Sequence, residues 1–221
     1  MLKIAVLVSG GGTNLQALID AQNRGELSGG QIVRVIASRP DAGALERAKK
    51  AGIPGAVVRR KDYADASAFD AALLAELEGC GAELVVLAGY LSILSESVVS
   101  RYADRILNVH PSLIPSFCGK GYYGLKVHEA VLAYGVKVTG ATVHFVNEVP
   151  DGGAILLQQA VEVRPDDTPE TLQRRVMEQA EWKLLPRAVA LFCEGRIRFE
   201  GRRAFAVNTR LRLFALRPMM K

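Results

Sequence analysis

The first half of the chain alternates short apolar segments with longer amphipathic ones. Residues 4–8 are apolar at every position, which is typical of a strand buried on both faces of a parallel sheet. Residues 65–77 instead place Phe69, Leu73 and Leu77 at the spacing of one buried helix face. This alternation predicts an α/β fold with an open, doubly wound and mostly parallel sheet. The remaining predicted elements here are helices at 14–23, 43–51 and 95–101 and strands at 31–37, 55–58, 83–88 and 105–109.

The second half predicts a different arrangement. Two strands joined by a Pro-Asp-Gly-Gly turn favour an antiparallel pair. A long helix should follow, since Asp167 or Thr168 can cap it and Pro169 suits its first position. The predicted elements are a helix at 127–133, strands at 137–146 and 154–163, the long helix at 168–192, and a final hairpin of strands at 196–199 and 203–207.

Length and charge favour one domain. No linker divides the 221 residues, so we expect a single domain at 1–207 and a basic tail at 208–221. The net charge is +5, and Lys and Arg concentrate after residue 195. A basic tail can attract nucleic acid or anionic ligands. Because no nucleic-acid-binding module accompanies it, we favour a solvated edge and expect no nucleic-acid partner. Either a monomer or a homodimer is compatible with the sequence.

The N-terminus and the cysteines indicate the compartment. The apolar start reaches Ser9 after too few residues for a signal peptide or a membrane span. The three cysteines lie far apart and fit neither a CxxC motif nor the spacing of zinc ligands. We therefore expect a cytoplasmic protein that does not associate with membranes.

A glycine-rich segment at residues 9–14 follows the first strand and opens a helix. Its backbone amides and the helix dipole can bind a phosphate, and Thr13 and Asn14 add side-chain donors. Leu15 stands where a dinucleotide fingerprint needs its third glycine, and the segment lacks the lysine of a P-loop. A monophosphate is therefore favoured. The alternative is a tight turn that needs glycine only for its geometry.

Two polar residues at the end of the fifth predicted strand are candidates for catalysis. Asn108 and His110 are two positions apart, so their side chains share a face. Fixed donors aimed at a developing oxyanion can be the largest catalytic contribution. Asp151, in the Asp-Gly-Gly turn, could approach His110 and raise the pKa of the imidazole. The alternative is that Asn108 and His110 only cap a loop.

The segment at residues 87–94 is apolar and leaves the fourth predicted strand. It could hold a flat heteroaromatic ring or belong to the core. Among other polar residues, His144 alternates with apolar neighbours and is interpreted as a core histidine. His128 is predicted on a helix surface. Cys118 has no base nearby in the sequence, so we do not expect it to act as a nucleophile.

Together these segments resemble the phosphoribosylglycinamide formyltransferases, folate-dependent enzymes of purine biosynthesis. The motif Asn-x-His-Pro-Ser-x-x-Pro, followed by His-Phe-Val and Asp-Gly-Gly, is specific to the Rossmann-like formyltransferase fold, and the glycine loop narrows the resemblance. It covers roughly residues 2–200. Methionyl-tRNA formyltransferases and formyltetrahydrofolate deformylases share the catalytic core but carry an additional domain, for which this length leaves no room. The segments with the resemblance are 9–14, 86–89, 107–115, 138–146 and 151–153.

The resemblance implies two small-molecule substrates and no metal. The amine of glycinamide ribonucleotide would attack the formyl carbon of 10-formyltetrahydrofolate. Asn108 and a His110 kept protonated by Asp151 would stabilise the resulting oxyanion. The implied binding residues are Gly12, Thr13 and Asn14 for the phosphate, Glu181 for the ribose, and Leu91, Ser92, Ile93, Leu94 and Asn108 for the folate.

The sequence also departs from this family. Ser92 and Ala66 stand where relatives often carry arginine, so Lys120, Lys126, or Arg60 with Lys61 could contact the folate glutamate instead. The loop at 116–126 is longer than usual, and its glycines would let it move as a lid. The helix between Arg175 and Pro186 is one residue longer than usual. The alternatives are another formyltetrahydrofolate-using formyltransferase, a deformylase, or a ribonucleotide- or folate-binding protein without catalysis.

Overall fold

The computed structural model describes residues 1–207, which contain nine strands and seven α-helices. The strands are β1 (Leu2–Val8), β2 (Gly30–Ala37), β3 (Gly55–Val57), β4 (Leu84–Leu87), β5 (Ile106–His110), β6 (Val138–Phe145), β7 (Ile155–Glu162), β8 (Ile197–Glu200) and β9 (Arg203–Ala206). The helices are α1 (Thr13–Asn23), α2 (Gly43–Lys50), α3 (Ala66–Gly79), α4 (Glu96–Arg101), α5 (Leu125–Tyr134), α6 (Pro169–Val176) and α7 (Trp182–Cys193). A π-helical turn at Met177–Glu181 joins α6 to α7, and a 3₁₀ turn at Arg60–Asp62 precedes α3.

Seven strands form one sheet in the order β3-β2-β1-β4-β5-β6-β7. Strands β3, β2, β1, β4 and β5 are parallel, whereas β6 and β7 run antiparallel. This confirms the predicted α/β class, the mostly parallel sheet and the antiparallel strands of the C-terminal half. The carboxyl ends of β1 to β5 meet at one edge, which is where open α/β sheets bind ligands.

The core has two layers, one on each face of the sheet. Alternate residues of β1 point to opposite faces, and Ile4 and Val6 belong to one cluster while Ala5 and Leu7 belong to the other. Since all four are fully buried, β1 is central to the fold. The first cluster includes Leu15 and Leu18 of α1 and Leu185 and Val189 of α7, and the second includes Phe69, Leu73 and Leu77 of α3.

The long helix predicted at 168–192 is interrupted by the π turn. Thr168 caps α6 through a capping box with Thr171, and Pro169 occupies the first turn, as predicted. A π turn holds one more residue than an α-helical path. The expected extra residue between Arg175 and Pro186 is therefore accommodated at Met177–Glu181, so the prediction of one regular helix was wrong.

The C-terminal hairpin β8–β9 was predicted nearly to the residue and packs against the sheet. The ring of Phe199 in β8 lies 4.8 Å from that of Phe145 in β6. The predicted basic tail at 208–221 lies outside the described residues, and the single domain at 1–207 stays a prediction. Within the described part of the chain, every helix is too short or too polar to cross a membrane.

Candidate active site

The glycine-rich segment lies at the carboxyl end of β1, where Gly12 begins α1. Gly12 has a φ of 75°, and a β-carbon there would lie 2.6 Å from the β-carbon of Ala44. Both facts require glycine. The first N–H groups of a helix have no partner within the helix and favour anions. This segment therefore has the geometry of the phosphate site that the sequence predicted.

Arg47 of α2 supports this segment from the side, and the sequence analysis did not single it out. Its Nε donates to the carbonyl oxygen of Gly11 at 2.8 Å, and one terminal nitrogen donates to Gln16 at 3.0 Å. The guanidinium therefore fixes the backbone before α1 and adds positive charge beside it. Its helical position gives no signal of this contact, which depends on how α2 packs on the loop.

Asn14 and Glu181 come together although 167 positions separate them. Asn14 Nδ2 donates to Glu181 Oε2 at 2.6 Å, and both residues are buried. Burial raises the pKa of Glu181 to about 7, against the opposing effect of the hydrogen bond from Asn14. Asn14 Oδ1 is buried and has no hydrogen-bond partner among the described residues. Thr13 also contacts the π turn, its hydroxyl lying 3.7 Å from the sulfur of Met177.

The three predicted catalytic residues also lie together. Asn108 Nδ2 is 3.5 Å from Asp151 Oδ1, and His110 Nδ1 is 3.6 Å from Asp151 Oδ2. His110 is almost fully buried. The shared face of Asn108 and His110 at the end of β5 agrees with the period-two pattern of a strand. An amide, an imidazole and a carboxylate are therefore within reach of one reacting group.

The protonation of His110 differs from the prediction. Burial lowers the pKa of His110 below its ordinary value, and Asp151 and the Phe117 carbonyl oppose this without reversing it. Asp151 itself is ionised, because its contacts with His144, His110 and the Gly119 N–H outweigh the effect of burial on its pKa. The prediction that Asp151 keeps His110 protonated is therefore wrong for this site at neutral pH.

The turn between β6 and β7 positions Asp151. Asp151 has a φ of 55°, and its Oδ2 accepts a hydrogen bond of 2.8 Å from the Gly119 N–H. A β-carbon at Gly153 would overlap the carbonyl oxygen of Phe145, so only glycine fits there. The Asp-Gly-Gly turn and the loop at 116–126 are thus tied to each other beside His110. Motion of that loop as a lid stays a prediction.

Two histidines have surroundings that the sequence indicated only in part. His144 is buried, as predicted, but its Nε2 also accepts from Asn108 Nδ2 at 3.1 Å while its Nδ1 donates to the Phe145 carbonyl oxygen. It therefore supports Asn108. His128 is fully buried instead of exposed, and its ring nitrogens have no partner among the described residues. Burial lowers the pKa of His128 to about 4, so it is neutral.

The segment leaving β4 lines a cavity of about 310 Å³ together with Asn108 and His110. Leu91 and Ile93 are mostly exposed, whereas Leu94 is buried. The interpretation of this segment as core packing is therefore wrong for Leu91 and Ile93. Ser92 also lines the cavity, and Ala66 begins α3.

Together, the anion-binding loop, the polar group at the end of β5 and the cavity beside it define an enzyme that transfers a group between two small molecules. Comparison with known proteins identifies the group. The Formyl transferase family model matches residues 2–189, and the chain therefore belongs to the formyl transferase family and is a formyltransferase.

Individual relatives agree with this assignment. The chain is 43% identical to the phosphoribosylglycinamide formyltransferase of Haemophilus influenzae over 205 residues, which covers 93% of both proteins. The crystal structure of glycinamide ribonucleotide transformylase 1 from Symbiobacterium toebii matches with a TM-score of 0.88 at 43% identity and covers 94% of this chain and 95% of that one. The phosphoribosylglycinamide formyltransferase of Anaplasma phagocytophilum matches with a TM-score of 0.84 at 35% identity and covers 94% and 95%.

Proposed function

We propose that the protein transfers the formyl group of 10-formyltetrahydrofolate to the amine of glycinamide ribonucleotide, a step of purine biosynthesis. The observation that carries this proposal is the spacing of three sites along one sheet edge. An anion-binding loop, a polar catalytic group and an open cavity follow β1, β5 and β4 respectively. A substrate with a phosphate at one end and an amine at the other matches the first two sites.

The ribonucleotide is assigned to the α1 side. Gly12, Thr13 and Asn14 would bind its phosphate through the N-terminal amides of α1 and their own side chains. Glu181, hydrogen-bonded to Asn14, would accept hydrogen bonds from the ribose hydroxyls. The family names of the relatives and the charge pattern of this loop support the same substrate.

The folate is assigned to the β4 side. Leu91, Ser92, Ile93 and Leu94 would bind the pterin in the cavity that Asn108 and His110 also line. Exposed apolar side chains next to backbone polar groups suit a flat ring that carries hydrogen-bonding edges. The formyl group would then lie beside Asn108.

The residues divide the chemistry as follows. The Asn108 amide donates to the formyl oxygen as the glycinamide nitrogen bonds to the formyl carbon. Neutral His110 accepts the proton that the amine loses and returns it to N10 when the bond from the carbon to N10 breaks. Asp151, 3.6 Å away, stabilises the imidazolium formed between these two steps. The products are formylglycinamide ribonucleotide and tetrahydrofolate.

A spectrophotometric assay of tetrahydrofolate formation tests this function. Turnover is expected only when both substrates are present. Formate release from the folate alone would instead identify a deformylase, and affinity without turnover would identify a binding protein. Both results would overturn the proposal.

Variants of Asn108 and His110 test the assigned roles. Asn108→Ala and His110→Ala are each expected to lower turnover about 10²–10³-fold, since each removes one catalytic group that acts in the transition state. Asn23→Ala, an exposed asparagine at the end of α1, is the control. Near-normal turnover in both site variants, with folding intact by circular dichroism, would contradict the assignment.

A further inference from the structure

A second cavity of about 490 Å³ opens at the same sheet edge, beyond the segment that lines the catalytic cavity. Arg39, Arg59, Arg60 and Lys61 line it, together with the single carboxylate of Asp41. These residues follow β2 and β3, so the cavity lies among the carboxyl ends of parallel strands, where ligands bind in such folds. We name these four cations and the space between them the basic cleft.

Two of the four cations are already neutralised. Arg39 pairs with Asp41 at 2.8 Å, and Arg59 pairs with Asp62 at 2.6 Å. Arg60 and Lys61 form no salt bridge with any residue in the described range 1–207. The Arg60 guanidinium lies 5.9 Å from the Phe69 ring centroid, which leaves its N–H groups available. The basic cleft therefore has unbalanced positive charge in a concave site.

Leu91 and Ser92 separate the basic cleft from the catalytic cavity and line both. The Leu91 N–H donates to Ser9 Oγ at 2.9 Å, and that hydroxyl lies 2.7 Å from the hydroxyl of Ser38. These bonds fix the separating segment to the ends of β1 and β2. A ligand that occupies the catalytic cavity can therefore extend across Leu91 and Ser92 into the basic cleft.

Two other lysines compete less well for such an extension. Lys126 donates to the Tyr123 hydroxyl at 2.9 Å and lies over the same ring. Lys120 lines the catalytic cavity itself, on the side of the loop at 116–126. Neither borders the basic cleft.

We infer that the basic cleft binds the carboxylates of the glutamate tail of the folate, through Arg60 and Lys61, and that the enzyme therefore prefers folates with several glutamates. This inference rests on the proposed function. The tail lies at the end of the folate opposite the pterin, and each γ-linked glutamate adds one carboxylate. Unbalanced cations in a groove that continues from the catalytic cavity match a ligand whose negative charge grows with length.

The test compares the KM of the mono- and tetraglutamate forms of 10-formyltetrahydrofolate. An exposed ion pair contributes about 0.2–1 kcal/mol, or about 1.4- to 5-fold in binding, so two pairs should lower the KM of the tetraglutamate about fivefold. In the double variant Arg60→Gln/Lys61→Gln this ratio should fall close to one, with kcat unchanged. The ratio in the unmodified enzyme should also shrink at high KCl concentration, because salt screens exposed charges.

A double variant with the same charge change serves as the control. Lys137→Gln/Arg187→Gln removes two exposed cations that line neither cavity, and it should retain the preference. Calorimetric titration of tetrahydrofolate mono- and tetraglutamate measures the same difference without turnover. Equal affinities in the unmodified enzyme, or an unchanged ratio in Arg60→Gln/Lys61→Gln, would overturn the inference. Absence of formyl transfer with either folate would overturn the proposed function instead.

Discussion

His110 lies between two hydrogen-bond acceptors. Its Nε2 is 2.9 Å from the carbonyl oxygen of Phe117, and its Nδ1 faces Asp151 at 3.6 Å. A carbonyl oxygen only accepts, so the neutral ring carries its hydrogen on Nε2 and directs the lone pair of Nδ1 toward the carboxylate. This arrangement keeps the imidazole ready to accept a proton and places a negative charge where the imidazolium will form.

Replacement of Asp151 tests this electrostatic role. The carboxylate raises the pKa of His110 against the effect of burial, so Asp151→Asn should lower that pKa further. The acidic limb of the profile of kcat/KM against pH should therefore shift to lower pH. Turnover should fall about tenfold or more at every pH, because the imidazolium loses its counter-charge. An unchanged profile, or a shift to higher pH, would contradict the role.

Glu181 makes stability depend on pH. Its pKa is raised to about 7 in the folded protein from an ordinary value of 4.5, so between these values the folded state holds a proton that the unfolded state has lost. Stability should therefore fall as pH rises from about 4.5 to 7, by about 3 kcal/mol in total. Glu181→Gln removes this titration, so its stability relative to the unmodified protein should increase by about that amount between pH 5 and pH 8.

Urea denaturation at pH 5 and pH 8 measures this difference. Glu178→Gln, a neighbouring substitution on the exposed side of the π turn, should show no such gain. Stability curves for Glu181→Gln and the unmodified protein that stay parallel across this pH range would contradict the effect of burial on Glu181.

At the scale of elements, the turn between β6 and β7 determines where the carboxylate lies. Phe145 N–H donates to the Ala154 carbonyl oxygen at 2.9 Å and closes the turn, and Gly153 passes the Phe145 carbonyl at a distance that excludes a side chain. The turn belongs to the antiparallel pair, yet it folds back to reach the end of parallel β5. Catalytic geometry therefore depends on backbone packing as much as on Asp151 itself.

Gly153→Ala is expected to displace this turn. The added β-carbon would force the backbone away from Phe145, and a shift of about 1 Å at Asp151 can cost about 10²-fold in turnover. Steady-state kinetics together with thermal unfolding would measure both effects. Gly79→Ala, at a helical position with open space around it, is the control and should leave turnover unchanged. Normal kinetics for Gly153→Ala would show that the turn tolerates a side chain.

The elements were more predictable than the contacts between them. The apolar run of β1 and the period-two placement of Asn108 and His110 follow from local patterns. The pairing of Asn108 with His144 depends on strand register across 36 positions, which local patterns do not determine. His128 could have been found, since it lies three residues before buried Val131 on the same helix face. The protonation of His110 depends on burial, which only the assembled fold reveals.

At the scale of the whole molecule, the site is assembled within residues 9–181. Its parts come from loops after parallel strands, from one antiparallel turn and from the π turn, all around the central sheet. The hairpin β8–β9 packs on the opposite part of the sheet through Phe145 and Phe199.

Removal of residues 208–221 tests whether the basic C-terminal residues contribute to catalysis. The predicted site residues all precede Asn208, so the truncated protein should retain kcat and both KM values within about twofold, since distant groups with no shared partners act independently. Steady-state kinetics at low and moderate salt would measure this. A loss of catalysis in a folded truncated protein would show that the tail belongs to the site.

The π turn at Met177–Glu181 has a consequence for how this enzyme can change length. An extra residue in a regular α-helix rotates everything beyond it by about 100° and advances it by about 1.5 Å. Here the added residue widens one turn instead, so α7 keeps its apolar side on the sheet and Glu181 still reaches Asn14. The junction of α6 and α7 is therefore a place where chains of two lengths can share one substrate site, and insertion or deletion there leaves the rest of the fold in register.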